Sequence, residues 1–256
     1  MEVHAHTHTA SPPAGRAGKK WTHYFWEFFM LFLAVTLGFF VENQREHYIE
    51  HKREVEYIRS MIEDLREDTV TFNQVIKANS KSIEKIDTLI ALLKGKESEG
   101  SVNKIYYLAR TIPLSDEDMV CQDKTFEQLK GSGGLRLIRN PATLNKIGSY
   151  YQIKKFIETG YTPMQYQNRR DLFLSFDELF DAATMQLIMR SPREMPMNTP
   201  GSHFSLLSND PKAINRFCMR YHIMYSTKRV VSMSAKHFIE LATSLIIYLQ
   251  NEYHLK

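Results

Sequence analysis

The sequence is poor in the two residues that interrupt helices. Its 256 residues include only 11 glycines and 9 prolines, and neither residue occurs between Gly38 and Gly95. Proline removes a backbone donor and glycine weakens a helix, so long helices are favoured where both are rare. We find no convincing strand pattern and no internal repeat. With 43% hydrophobic residues, the chain is expected to form a folded helical body.

Cysteine is also scarce. Cys121 and Cys218 are the two cysteines of the chain, which is too few for a disulfide framework, and their spacing does not fit a metal site. If the body lies outside the cytoplasm, the two could form a disulfide bond that closes a long loop. The alternative, which we favour, is a pair of buried free thiols.

Charge and motifs exclude several classes of function. A net charge of +4 is far below the clustered basic surface of a nucleic-acid-binding protein, so no nucleic-acid partner is expected. The sequence contains no Ser-His-Asp order, carboxylate pair or nucleotide-binding motif with a convincing spacing. We therefore predict a protein that is not an enzyme and that has no cofactor.

One long hydrophobic run dominates the N-terminal part of the chain. It covers residues 21–41, from Trp21 to Val41, and residues 28–41 carry no charge. Twenty-one residues rise about 31 Å as a helix, roughly the thickness of the hydrocarbon core of a bilayer. No small-residue cleavage site follows the run, so we predict a retained transmembrane helix. The later run LATSLIIYL is too short to span, which leaves a single pass.

The flanking charges suggest an orientation. Lys and Arg are equally frequent on the two sides of the run, but Lys19 and Lys20 abut it directly, whereas the bases beyond Val41 alternate with glutamates. Basic residues accumulate on the cytoplasmic side of membrane helices. We therefore expect the N-terminus in the cytoplasm and the body outside it.

Glu27 lies within the first turns of the predicted span. An ionisable residue inside a membrane suggests by default an ion or proton role, or pairing with another helix. Glu27 is close to the interface, however, and His23 and the two lysines are within reach. We favour the structural interpretation, in which Glu27 is paired near the headgroups.

Two groups of histidines have a metal-binding alternative. His4, His6 and His8 alternate in the tail, where an ordered extended segment would project them to one side; we favour a solvated, disordered tail. His47 and His51 share a helical face with nearby glutamates, but their order is not H-E-x-x-H, and we favour a solvated face there too. No metal site is predicted.

A heptad pattern begins beyond the membrane run. Apolar residues recur at alternating steps of three and four, which indicates one long helix with a buried seam. Two polar members, Thr69 and Asn79, can set register and partner number. The predicted seam consists of Val55, Ile58, Ile62, Leu65, Thr69, Phe72, Ile76, Asn79, Ile83, Ile86, Ile90 and Leu93.

The seam has two alternative partners. A second copy of the chain would form a parallel coiled coil, whereas the chain's own later helices would form an intramolecular bundle. Met61, Val75 and Leu89 form a second apolar row beside the seam, which widens the stripe to the width typical of a bundle. We favour the intramolecular bundle.

Further helices are expected along the distal chain. The patterns place them at 102–112, at 119–130 with a capping box formed by Thr125 and Gln128, and at 166–189. Two more begin where a capping residue precedes proline, at Asn140 and at Asp210.

Together these patterns predict an all-α chain, in which an N-terminal transmembrane helix continues into the long heptad helix and packs into an antiparallel bundle of about five helices. The predicted divisions are a disordered tail at 1–20, the transmembrane helix at 21–41, the juxtamembrane heptad helix at 42–101 and the remaining bundle helices at 102–256.

Four segments carry a resemblance to a known family. They are FWEFFMLFLAVTLGFFVEN, EHKREVEYIRSMIEDLREDT, TFEQLKGSGGLRLI with the YY downstream of it, and LLSNDPKAINRF. In these segments, which together cover most of residues 21–220, the chain resembles a family of uncharacterised single-pass membrane proteins of Gram-negative bacteria. The resemblance implies a membrane protein with a helical body, and it supplies no activity, ligand or catalytic residue.

The expected function is that of a membrane-anchored interaction or scaffolding protein at the cell envelope. Its partners would be the lipid bilayer and either further copies of the chain or another envelope protein. The alternative is an extracytoplasmic sensor that binds a small ligand between its helices and relays a state to a partner through the transmembrane helix.

Overall fold

The computed structural model describes residues 17–95, 101–115, 117–189 and 204–255. Within these ranges the chain is all-helical and contains no strand, so the predicted all-α class is confirmed. The α-helices are α1 Ala17–Lys94, α2 Ser101–Thr111, α3 Lys124–Gly131, α4 Pro141–Phe156, α5 Thr162–Phe173, α6 Ala182–Met189 and α7 Pro211–Glu252. The predicted tail, including His4, His6 and His8, lies outside the described residues except for its last four, whose backbone is already helical.

The chain divides into two compact units, Met1–Arg53 and Glu54–Lys256. In the second unit, α1 buries one continuous line of side chains whose steps alternate between four and three residues, as the faces of packed helices require. The buried line consists of Glu54, Ile58, Met61, Leu65, Asp68, Phe72, Val75, Asn79, Ser82, Ile86, Leu89 and Leu93.

This buried line differs from the predicted seam at every second position. Ile62 is buried beside the line, whereas five other predicted members are only half-buried: Val55, Thr69, Ile76, Ile83 and Ile90. For each of these six members, the preceding residue lies on the buried line instead. Three of the six replaced positions are polar on the buried line, Glu54, Asp68 and Ser82, and a pattern based on hydrophobicity does not select them. The other three, Met61, Val75 and Leu89, are the apolar row predicted beside the seam.

α7 packs along α1 in the opposite direction. The hydroxyl of Tyr253, just beyond the end of α7, donates to Glu54 over 2.7 Å, and the rings of Phe72 and Phe238 lie 5.9 Å apart. Residues later in α1 therefore contact residues earlier in α7. Both pairs lie within the unit Glu54–Lys256.

Two hydrophobic clusters fill this unit. The first combines the 58–75 part of α1 with α3, α4 and the second half of α7. The second combines the end of α1 with α2 and the first half of α7, around the fully buried Tyr221. Asn79 of α1 and its partners in α7 lie between the two clusters. The side-chain amide of Asn79 donates to the carbonyl of Lys228 over 3.5 Å and to the Ser232 hydroxyl over 3.3 Å. A polar contact thus fixes the axial position of α1 against α7.

Both predicted starts at a capping residue followed by proline are confirmed. Asn140 accepts a hydrogen bond from the amide of Ala142 over 2.9 Å. Asp210 accepts from the amides of Lys212 and Ala213 over 3.3 and 3.1 Å. In each case the side chain satisfies donors that have no partner within the first helical turn.

The helix predicted at 119–130 is shorter, because α3 begins only at Lys124. The amide of Gln122 donates to Asp68 over 2.6 Å, and the amide of Thr125 donates to Asp64 over 3.0 Å. The preceding residues are therefore held by α1 in a non-helical path. The predicted capping box is wrong, since Thr125 lies inside α3 and no side chain caps its start.

The single helix predicted at 166–189 is also wrong. It is divided into α5 and α6, with a 3₁₀ turn at Phe176–Glu178 between them. The amide of Leu207 donates to the carbonyl of Leu179 over 3.0 Å, and the amide of Asp181 donates to the Tyr106 hydroxyl over 2.8 Å. These long-range hydrogen bonds hold the chain in a path that a continuous helix would not allow.

Two neighbouring residues distinguish the buried line from the predicted seam. Leu89 is fully buried and Ile90 is half-buried. We expect Leu89→Ala to lower the free energy of unfolding by about 2–5 kcal/mol, because it leaves a cavity in the second cluster. Ile90→Ala should lower it by only about 1 kcal/mol, because the half-buried Ile90 removes less apolar surface from water than Leu89 does. Urea unfolding of the detergent-solubilised chain, followed by circular dichroism, measures both; the reverse order would support the predicted seam.

Candidate functional site

The first candidate surface is the apolar part of α1 in the unit Met1–Arg53. Every side chain of residues 21–41 is exposed, with Trp21 at 79% and Phe39 at 74%. The most apolar 18-residue window has a mean hydropathy of 1.9 and none of it is buried. A continuous exposed apolar surface of this size is typical of sites that contact a membrane or another protein, and Trp21, Glu27 and Val41 all lie on it.

Among the described residues, α7 is also long and apolar enough to cross a membrane. Its window has a mean hydropathy of 1.3, but 28% of that window is buried inside the protein. The sequence predicted one such helix, and the structure contains two. Length and composition alone do not distinguish a membrane span from a core helix.

Glu27 has a partner one helical turn before it. Its Oε1 atom lies 3.1 Å from Nε2 of His23, and both side chains are more than half exposed. Glu27 is thus in contact with His23, one of the residues that the structural interpretation placed within its reach.

The residues around His47 do not form a closed metal site. His47 Nδ1 lies 3.9 Å from Glu50 Oε2, but Glu54 is buried and accepts hydrogen bonds from the Arg139 amide and the Tyr253 hydroxyl. No group of three or more His, Cys, Asp or Glu side chains that could hold a metal ion occurs in the part of the chain that the structure describes.

The two cysteines are buried and free. Cys121 belongs to the first hydrophobic cluster and Cys218 to the second, so the interpretation as two buried free thiols is confirmed. Burial raises the pKa of both thiols, and the nearby Asp68 raises that of Cys121 further. Neither thiol is suited to nucleophilic chemistry, because the reactive species is the thiolate.

Asp68 is the centre of a buried polar cluster on α1. Its side chain is fully buried and accepts hydrogen bonds from the Tyr150 hydroxyl over 2.6 Å, the Gln122 amide over 2.6 Å and the Cys121 thiol over 3.3 Å. Burial raises the pKa of this carboxyl, although the three hydrogen bonds lower it. Asp68 was not predicted from the sequence, where its only signal is a position next to the predicted seam.

Tyr150 and Tyr151 are adjacent in α4 and differ in their hydroxyl groups. Tyr150 donates to Asp68, whereas the buried hydroxyl of Tyr151 has no hydrogen-bond partner among the described residues. The ring of Tyr151 stacks on Phe126, with centroids 4.3 Å apart. Burial raises the pKa of both tyrosines, so both remain protonated.

A groove of about 400 Å³ lies between α4 and α7. Leu241, Leu245 and the ring of Tyr248 form an apolar surface in it, and Tyr150 reaches it from α4. Lys146 stands at the groove with its ammonium group 4.9 Å from the centre of the Tyr248 ring. The groove combines an apolar surface with one cation, a composition suited to a small amphipathic anion.

Comparisons of the chain with protein-family models, curated proteins and solved structures gave no match. The candidate sites therefore rest on their geometry.

The two tyrosines provide a matched test of the Asp68 cluster. Tyr150→Phe removes a hydrogen bond to a buried carboxylate, and we expect the free energy of unfolding to fall by about 1.5–3 kcal/mol. Tyr151→Phe removes a hydroxyl that has no partner, and stability should stay equal or rise by up to about 1 kcal/mol. Thermal and urea unfolding of the two variants measure the difference. Equal losses of stability in the two variants would show that the hydrogen bond from Tyr150 to Asp68 does not stabilise the fold.

Proposed function

We propose that this chain is a membrane-anchored interaction protein of the cell envelope, which holds a helical body at the membrane and performs no catalysis. The observation that carries the proposal is the fully exposed apolar surface of residues 21–41. The body buries the line of α1 within the chain, whereas every side chain of residues 21–41 is exposed among the described residues. A lipid bilayer supplies an apolar partner for them.

In the proposed architecture the transmembrane helix continues along the chain into the heptad helix. The bounds of α1, Ala17–Lys94, and the absence of proline and glycine from residues 39–94 support it. In this proposal the later helices pack against α1 as an antiparallel bundle, and the order of the contacts between α1 and α7 favours that arrangement.

A single membrane pass is favoured by the contacts of α7. Val231, Ala235 and Phe238 of α7 are buried in the same cluster as Phe72 of α1. Insertion of α7 into a bilayer would remove these side chains from that cluster. α7 therefore belongs to the body in our proposal, and among the described residues α1 provides the anchor.

The proposed orientation has the N-terminus in the cytoplasm and the body in the periplasm, at the inner membrane. The orientation is inferred from Lys19 and Lys20 directly before the apolar run, and the inner membrane from the resemblance to single-pass membrane proteins of Gram-negative bacteria. The absence of catalysis remains part of the proposal: Asp68 is buried and accepts hydrogen bonds from Cys121 and Tyr150, so these three groups are not available to a substrate.

Cysteine labelling tests the anchor and its orientation. Because both native thiols are buried, Lys104→Cys on the exposed surface of α2 should be the main reactive site of the folded chain. We expect a membrane-impermeant maleimide to label it once the outer membrane is permeabilised, and Ser11→Cys to be labelled only after the inner membrane is lysed. The chain should remain in the membrane fraction after carbonate extraction.

The controls are the wild-type chain, which should label only after denaturation, and denatured samples of both variants, which should label fully. The opposite pattern, with Ser11→Cys labelled first, would reverse the orientation. Release of the chain by carbonate would contradict the anchor itself.

A ligand sensor is the second candidate, favoured by the groove between α4 and α7. Tyr150 both lines the groove and donates to Asp68 of α1, so an occupant would contact a residue that is bonded directly to the long helix. The rim cation, Lys146, favours an amphipathic anion as the occupant.

We expect such a ligand to be retained in native mass spectra of the gently solubilised wild-type chain, at about one per chain. Ser244→Trp, which fills the groove, should abolish retention, and Ser226→Trp, at an exposed position of α7 outside the groove lining, should not. A wild-type chain without a ligand, or equal retention by both variants, would contradict the sensor.

A further inference from the structure

α7 has an exposed apolar stripe on the side that does not face the core. Met219, Ile223, Val230 and Met233 are 50%, 49%, 49% and 67% exposed. Their steps of four, seven and three residues place them on one face of the helix, in the heptad spacing by which a helix contacts a second helix; the position skipped between Ile223 and Val230 is the exposed Ser226. We call these four residues the outer stripe.

The outer stripe is bordered by cations. Arg220 follows Met219, Arg229 precedes Val230, and Lys236 lies one turn beyond Met233; all three are exposed, and none has an ion-pair partner among the described residues. The first acidic residue of α7 is Glu240, beyond the end of the stripe. In contrast, Arg216, which lies before the stripe, is paired with Glu178 over 3.1 Å.

This charge pattern disfavours a second copy of the chain as the occupant. Two outer stripes packed together, in either direction, would bring cations against cations, because residues 211–239 contain no acidic side chain to oppose them. Like charges that flank a helical interface are destabilising. A partner with acidic residues at the flanking positions would instead neutralise all three cations.

The composition of the outer stripe disfavours a lipid surface. Helices that lie in a membrane interface use a broad apolar face that contains Trp, Phe or Leu. The outer stripe is one narrow line of Met, Ile and Val, and the opposite side of α7, with Phe217 and Tyr221, is buried in the body. The width of the outer stripe fits the contact surface of one partner helix.

We propose that the outer stripe of α7 is the docking surface for an acidic amphipathic helix of a partner protein. The partner helix would place apolar residues at heptad spacing on Met219, Ile223, Val230 and Met233, and carboxylates beside Arg220, Arg229 and Lys236. This proposal rests on the interaction role proposed above and specifies the chemistry of the partner.

A synthetic peptide tests the docking surface on the full-length chain in nanodiscs of uncharged lipid. The probe is a three-heptad helix with leucine at the core positions and glutamate at the flanking positions, and a second peptide carries lysine in place of glutamate. We expect saturable binding of the glutamate peptide that weakens with salt, and no binding of the lysine peptide. Fluorescence anisotropy of the labelled peptides measures both.

The decisive variant is Arg220→Glu/Arg229→Glu/Lys236→Glu. It should weaken binding of the glutamate peptide by at least about tenfold and allow the lysine peptide to bind. The matched control, Arg59→Glu/Lys77→Glu/Lys81→Glu, makes the same change in charge at exposed positions of α1 and should leave binding of the glutamate peptide within about twofold. Circular dichroism verifies that both variants are folded.

Four outcomes would overturn the proposal. They are no binding of the glutamate peptide by the wild-type chain, equal losses in the two triple variants, binding of phosphatidylglycerol nanodiscs through the stripe in place of the peptide, and self-association that Met233→Asp abolishes. The membrane anchor is tested separately by carbonate extraction, which the triple variants should not alter. Failure of the docking surface is thus distinguishable from failure of the anchored role.

Discussion

The body depends on buried carboxylates of α1 that accept hydrogen bonds from other segments. Glu54, Asp64 and Asp68 accept from the backbone amides of Arg139, Thr125 and Gln122, respectively. These amides lie at or near helix starts, where a donor has no partner within its own helix. A buried carboxylate without partners would be costly, and so would a buried amide without an acceptor. Each group therefore satisfies the other, and the path between α2 and α4 is fixed by α1.

The same hydrogen bonds select an intramolecular partner for the long helix. A purely apolar heptad line packs against many helices, because dispersion and burial have little directional preference. The polar positions of α1 are specific: Asp68 requires the hydroxyl of Tyr150, and Asn79 contacts the carbonyl of Lys228 in α7. A parallel pairing of two α1 helices would place Asp68 against Asp68 without these donors. This is a physical reason for α1 to pack within its own chain.

Features set by local chemistry could be predicted from the sequence, whereas features set by distant partners could not. The starts at Asn140 and Asp210 depend on a side chain and amides two or three residues later, so the motif alone was sufficient. The buried line of α1 was predicted one residue away at alternate positions, because Asp68 is buried only through contacts with residues more than fifty positions away. The break between α5 and α6 depends in the same way on Leu207 and Tyr106. Of the candidate sites, the apolar run could be predicted because its residues are contiguous in the sequence. The groove could not, because it forms only where α4 packs against α7.

α7 combines two surfaces with opposite chemistry on one helix. Small residues on its inner side, Ala235 and Ala242, are fully buried and allow close packing in the core, whereas the outer stripe is apolar at its centre and cationic at its borders. Four half-exposed side chains bury a small area, so we expect a free helix to bind them saturably but with modest affinity, since association also carries an entropic cost. In the proposed anchored protein this balance would change, because a partner held in the same membrane would meet the stripe at a high effective concentration. A narrow, charge-selective surface would then be sufficient, and its cations would disfavour further copies of the same chain.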